Sequence, residues 1–137
     1  MSDALTTARG PFDVKLTPQA VDTAEGGATL SRLGIEKQFH GELEATSTGE
    51  MMSATGRVKG SAGYVAIERV TGTLHGRRGS FVLQHTGVMN RGASQLTITV
   101  VPDSGTDELT GISGTCGIII ADGKHSYELV YTLAPPA

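Results

Sequence analysis

Glu68, Arg69, Gln84 and His85 place four polar groups in two runs that are otherwise apolar or β-branched, Ala66 to Leu74 and Ser80 to Val88. A carboxylate beside an imidazole is a usable acid–base pair near neutral pH. Burying such groups without partners would cost on the order of several kcal/mol, so they must be paired, solvated or functional. The glycine-rich segment between the two runs predicts a hairpin, whose turn decides which side chains meet. A turn centred on Gly76-Arg77 sets Glu68 opposite His85. A loop of Gly76, Arg77 and Arg78 instead sets Arg69 opposite His85, because a one-residue slip exchanges the two faces of a strand. Two readings follow. Either the group is a structural pair that fixes register or lies on an outer face, or Glu68, Arg69, Gln84 and His85 orient a ligand, with Glu68 and His85 as candidate catalytic acid–base groups. His40, in a His40-Gly41-Glu42 stretch expected to point both side chains to one face, is a secondary candidate for lining the same cavity. The Gly76-Arg77-Arg78-Gly79 segment carries two positive charges, which suit either an anionic ligand group or an exposed hairpin tip.

Other chemistries find little support. His40, His75, His85 and His125 form no HxH pair and no HExxH motif, and Cys116 has no second cysteine, so no metal site is expected. His75 and His125, in or beside turns, are expected to be solvated. Cys116 lies in an apolar run and reads as a small hydrophobe rather than a nucleophile. No Gly-x-Ser-x-Gly elbow appears, and no glycine-rich loop opens a long helix, so covalent hydrolysis and nucleotide binding are not indicated and no cofactor is expected. A net charge of -3 with a pI near 5.7 gives no general attraction to nucleic acid or anionic lipid. The longest apolar run, Gly117 to Ala121, is far too short to span a bilayer as a helix, so no membrane span is expected. The first nine residues lack a basic start and an apolar core, which predicts a cytoplasmic location.

The elements that must position these groups are strands. No helical periodicity persists over three turns, whereas short β-branched runs recur between Gly, Asp and Ser clusters. Strands are predicted at Pro11 to Thr17, Leu30 to His40, Glu42 to Thr48, Tyr64 to Leu74, Ser80 to Val88, Ser94 to Val101, Thr115 to Ala121 and Ser126 to Leu133. Eight strands of this length suit a closed all-β antiparallel barrel. All five prolines lie outside 19–101, so long ladders are permitted through the middle. Asp122-Gly123 is the clearest hairpin turn, with Asn90-Arg91-Gly92 another. Short helical turns are predicted at Pro18 to Asp22, capped by Thr17, and at Asp107 to Leu109, capped by Thr106. Residues 1–9 and 134–137 read as tails around a single domain at 10–133.

Alternation along the strands also bears on assembly. Leu96, Ile98 and Val100 share one face against Gln95, Thr97 and Thr99, so one side of that strand meets water. Tyr64 to Ile67, Phe81 to Leu83 and Ile118 to Ile120 are apolar on both faces, which a lone small barrel cannot bury. A second copy of the chain is expected to cover them, making the protein a homo-oligomer.

The stretch Ile67 to Gly87 resembles the signature of a bacterial family catalogued as domain of unknown function 3224. Val101 to Gly114 is similar to the family's downstream segment, and Gly26 to Arg32 and Phe39 to Glu44 to its upstream ones. The resemblance runs from about Gly10 to Leu133. It implies an eight-stranded antiparallel barrel like that of allene oxide cyclase, with a central cavity, and it implies no reaction. Plant cyclases and dirigent proteins of that superfold hold apolar small molecules in the barrel mouth. By analogy, a small apolar or amphipathic ligand is expected here, with a cyclase, isomerase or lyase using Glu68 and His85, or a purely structural subunit, as alternatives.

Overall fold

A computed structural model describes residues 5–133 as eight antiparallel strands closed into a barrel in sequence order. The strands are β1 (Thr6–Thr23), β2 (Thr29–Phe39), β3 (Leu43–Thr55), β4 (Ala62–Leu74), β5 (Arg77–Asn90), β6 (Ala93–Val100), β7 (Ile112–Ala121) and β8 (Lys124–Leu133). Each expected strand is present, most of them longer than the β-branched runs alone indicate. The parts of residues 1–9 and 134–137 that lie at 1–4 and 134–137 fall outside the described residues. Thr6 to Arg9, by contrast, pair with Glu128 to Tyr131 of β8, so this portion belongs to the barrel rather than to a tail.

Three hairpins use a two-residue turn with glycine second: His75-Gly76, Arg91-Gly92 and Asp122-Gly123, every one of these residues at positive φ. That is the type I′ requirement, and the second position is where glycine serves it. The β4–β5 turn is therefore His75-Gly76, and both expected registers are corrected. Arg77 extends into β5 opposite Leu74, Glu68 lies opposite Leu83, and Ala66 lies opposite His85.

The expected helical turn at Pro18 to Asp22 is also corrected. Here β1 stays extended, with a register shift between Pro18 and Ala20, where a bulge accommodates the proline's missing N–H. Gln19 is left out of the pairing, and its side chain accepts a hydrogen bond from Arg32 Nε at 3.1 Å. The turn at Asp107–Leu109 does form, as a single 3-10 turn. Thr106 precedes it without capping it through its side chain. Its hydroxyl instead joins Ser80, accepting the backbone N–H at 3.0 Å and sharing a hydrogen bond with Ser80 Oγ at 2.7 Å.

Alternate residues fill the interior. Phe12, Phe39, Leu43, Val70, Leu74, Phe81, Leu109, Ile112, Tyr127 and Tyr131 are buried together at the end formed by the β2–β3 and β4–β5 turns. Leu109 of the 3-10 turn packs over Gly79, where an added Cβ would lie 2.3 Å from Thr106 O. The opposite end is less filled: the inward-facing Val21 and Leu96 are exposed there, and Leu30, Met52, Val65 and Val88 are exposed on the outward face. β1 and β8 close the barrel over six registered pairs, and the thinnest seam lies between β6 and β7, with Thr99 and Thr115 the registered pair.

Candidate functional site

Four adjacent strands each send one polar side chain to the inward face. Lys37 of β2 lies opposite Ser47 of β3, Ser47 opposite Val70 of β4, and Glu68 of β4 sits diagonally from His85 of β5. Parity explains the convergence: each polar residue has buried or half-buried neighbours two positions away, as in Ile35-x-Lys37-x-Phe39 and Ala66-x-Glu68-x-Val70. The side chains of Glu68, His85 and Lys37 are 0%, 4% and 8% exposed. Glu68 is the hub. Its Oε2 accepts from Lys37 Nζ at 2.8 Å and from His85 Nε2 at 2.5 Å, while its Oε1 accepts from Ser47 Oγ at 2.8 Å. The Lys37 ammonium also lies 5.2 Å from the Phe12 ring centroid and 5.8 Å from that of Phe39, a favourable placement for a desolvated cation.

Burial alone would push the Glu68 carboxyl up. The His85 hydrogen bond and the attraction and hydrogen bond of Lys37 outweigh it and hold the group down, to about 2. Glu68 is thus a carboxylate at neutral pH. A carboxylate only accepts, so His85 Nε2 carries a proton, and in the neutral ring Nδ1 is left to accept from the Tyr64 hydroxyl at 3.3 Å. The result is a directed chain from Glu68 through His85 to Tyr64. The Tyr64 ring is seated by its register partner Gly87, where an added Cβ would lie 2.4 Å from the ring. Burial and the negative charge of Glu68 raise the Tyr64 hydroxyl above its ordinary value, keeping the phenol protonated.

Tyr64 also lines an apolar concavity of about 600 Å³ at the less filled end of the barrel, together with the inward-facing Val21 and with Leu30, Met52, Val65 and Val88, which register places on the outward face. That volume falls within the ~300–1,000 Å³ usual for small-molecule sites. Glu68 and His85 are not part of its lining.

The other sequence candidates lie elsewhere. Arg69 and Gln84 face outward and are exposed. His40, Gly41 and Glu42 form the β2–β3 turn rather than a strand, at the opposite end from Tyr64. His40 is half-exposed, 3.3 Å from Asp13, and so does not share a cavity with Glu68. His75 is not simply solvated, because both ring nitrogens have partners, Tyr131 and Glu42. Arg77 and Arg78 are strand residues, not the hairpin tip. Sequence reasoning missed Lys37, Ser47 and Tyr64; the available signal was a polar residue at a position whose i±2 neighbours are apolar or small.

Cys116 packs partly buried against the core, and burial pushes its thiol up to about 12. Thiolate is the reactive form. Native protein at pH 8 is therefore expected to react with a disulfide reagent at least tenfold more slowly than urea-unfolded protein; equal rates would refute this placement.

The family model described as "Protein of unknown function (DUF3224)" matches residues 8–131. The chain is similar to a solved protein of unknown function from the DUF3224 family of Shewanella oneidensis MR-1. The two are 54% identical, with 97% of this chain and 100% of that one covered at a TM-score of 0.92. No curated protein matches the chain.

Proposed function

This chain belongs to the DUF3224 family, whose description assigns no activity, and from its own residues we propose that it binds a small apolar or amphipathic molecule at the less filled end of the barrel. The observation that carries this reading is a single residue shared by two features. Tyr64 lines the apolar concavity and ends the buried chain from Glu68 through His85. Apolar walls with one oriented polar group are the usual anatomy of a small-molecule site. Met52, Val65, Leu30 and Val88 would hold the apolar body, and Tyr64, oriented by His85, would meet the polar end. The resemblance to allene-oxide-cyclase barrels, which hold apolar molecules in their mouths, supports the same reading.

A second reading, proton transfer of the cyclase, isomerase or lyase type, is favoured by the direction of that chain. The ionised Glu68 cannot donate a proton, so its part would be to orient His85, which exchanges the proton with Tyr64. The outer apolar residues Ile67 and Ile119, each at least half exposed, support assembly with a second copy of the chain.

Native mass spectrometry of gently purified protein, read together with titration of the fluorophore 1-anilinonaphthalene-8-sulfonate, tests the binding reading. The expected result is saturable binding of the fluorophore, weakened at least tenfold by Met52→Glu or Val65→Glu and competed by any molecule retained in the spectrum. Saturable binding that both variants leave unchanged, or no saturable binding, would overturn it. The same spectrum reports subunit number, and a monomer at micromolar concentration would overturn the assembly reading.

A further inference from the structure

The end of the barrel away from Tyr64 carries a second Glu–His–Tyr chain. His75, at the β4–β5 turn, shares a 2.6 Å hydrogen bond between its Nδ1 and the Tyr131 hydroxyl and directs its Nε2 to Glu42 Oε2 at 3.1 Å. Its ring stacks on Tyr131 with centroids 5.8 Å apart and planes inclined by 29°. Glu42 is fixed in turn, its Oε1 accepting the backbone N–H of Arg9 at 2.8 Å. That bond and the one from His75 hold the Glu42 carboxyl below its ordinary range, so it accepts and His75 donates. His75 sits at φ 47 as the first residue of its type I′ turn, like Arg91 and Asp122 in theirs.

Beside this chain is a cavity of about 310 Å³ lined by Thr6, His75, Arg77, Tyr131 and Leu133. Register shows that it is the barrel's second mouth. Thr6 lies opposite the buried Tyr131, Arg77 opposite the buried Leu74, and Leu133 opposite the buried Ile112, so all belong to the inward face. Among the described residues Arg77, like most of the basic side chains, forms no ion pair, and it differs from them in standing at the rim of this cavity. An unpaired guanidinium on the rim of a small cavity with an aromatic wall is a matched receptor for a planar carboxylate.

We propose that this mouth binds a small organic carboxylate, with Arg77 pairing its charge, Thr6 offering a hydroxyl, and Tyr131 and Leu133 covering its apolar remainder. The fixed His75 holds the Tyr131 ring in place as the wall of the site. Arg78 serves as the internal control, because it lies opposite Thr73 on the outward face.

Sodium benzoate titrated into the full chain, followed by amide chemical shifts, tests the proposal, with benzamide as the uncharged analogue. Benzoate is expected to give saturable shifts at Thr6, Gly76 and Leu133 at millimolar concentration, with benzamide at least tenfold weaker. Arg77→Met is expected to weaken benzoate at least tenfold, and Arg78→Met less than twofold. Absence of saturable shifts at these residues would overturn the site, as would equal binding of benzamide or full affinity in Arg77→Met. Shifts confined to Val65 and Gly87 would place the ligand at the Tyr64 end and equally overturn it. The two mouths are separate, so either outcome leaves the reading of the Tyr64 end standing on its own test.

Discussion

Glu68→Ala is expected to lower the unfolding free energy by about 3–5 kcal/mol, the usual loss when one partner of a buried ion pair is removed. The substitution leaves the Lys37 ammonium, with a side chain only 8% exposed, without its carboxylate, and it removes the acceptors of Ser47 and His85. Two aromatic rings beside Lys37 attract the cation but do not replace a charge at 2.8 Å. Urea unfolding reads the loss as a shift in midpoint at unchanged slope. A midpoint within error of the parent would mean that the network carries no stability. A triple replacement, Lys37→Met with Glu68→Leu and His85→Leu, is expected to recover most of the loss, since apolar groups of similar volume leave no charge uncompensated.

The same carboxylate sets an acid limit on the fold. Its pKa is lowered from 4.5 to about 2 on folding, so the unfolded chain binds the proton more readily. Stability from this group is present above about 4.5 and is lost as pH falls towards about 2, with a total on the order of 3 kcal/mol. In the triple variant that acid-dependent loss should disappear between those values. Its persistence at full size would assign the acid sensitivity to other groups.

Gly49→Ala is the second large effect. Gly49 lies opposite Glu68 on β3, and a Cβ there would fall 2.1 Å from Ile67 O and 2.6 Å from the Glu68 Cα. Both are backbone atoms, which cannot rotate away as the end of a side chain could, so β3 and β4 must separate. Overpacking of this kind costs about 1–3 kcal/mol, and more where the backbone must move. Because the displaced strand carries Glu68, the variant should also lengthen the Ser47–Glu68 and Lys37–Glu68 contacts. The expected readout is a lowered urea midpoint together with an altered His85 ring signal in NMR spectra. A stable variant with an unchanged His85 signal would show that the close approach of the two strands does not support the network.

Much of the barrel was legible in the chain because strand signals are local. Alternation in Ser94 to Val101, the β-branched runs and the Asp122-Gly123 turn each depend on residues close in sequence, and each predicted strand formed. The turn at His75-Gly76 was legible in principle, since glycine fits the second position of this hairpin type, as it does at Arg91-Gly92 and Asp122-Gly123. Pro18 to Asp22 misled because helix-start chemistry is also local, whereas pairing with β2 holds that segment extended through a bulge. At the site, Glu68 and His85 stood out from their own strands. Arg69 and Gln84, one position off in parity, face outward, a difference fixed by a two-residue turn rather than by residue type.

By itself the sequence determined the all-β class, the eight strands and their succession, the family, and four polar residues demanding an explanation, Glu68, Arg69, Gln84 and His85, but not which of them pair. The tertiary structure alone decided which residues meet. Pairing of β2, β3 and β4 brings Lys37 and Ser47 to Glu68, from 31 and 21 positions away, and closure of the barrel brings Tyr131 to His75, from 56. The physical reason is that strand parity fixes only the face a side chain takes, while contact across strands depends on register summed around the barrel. Register is set at the turns, so one residue gained or lost there would move every polar group to a different partner.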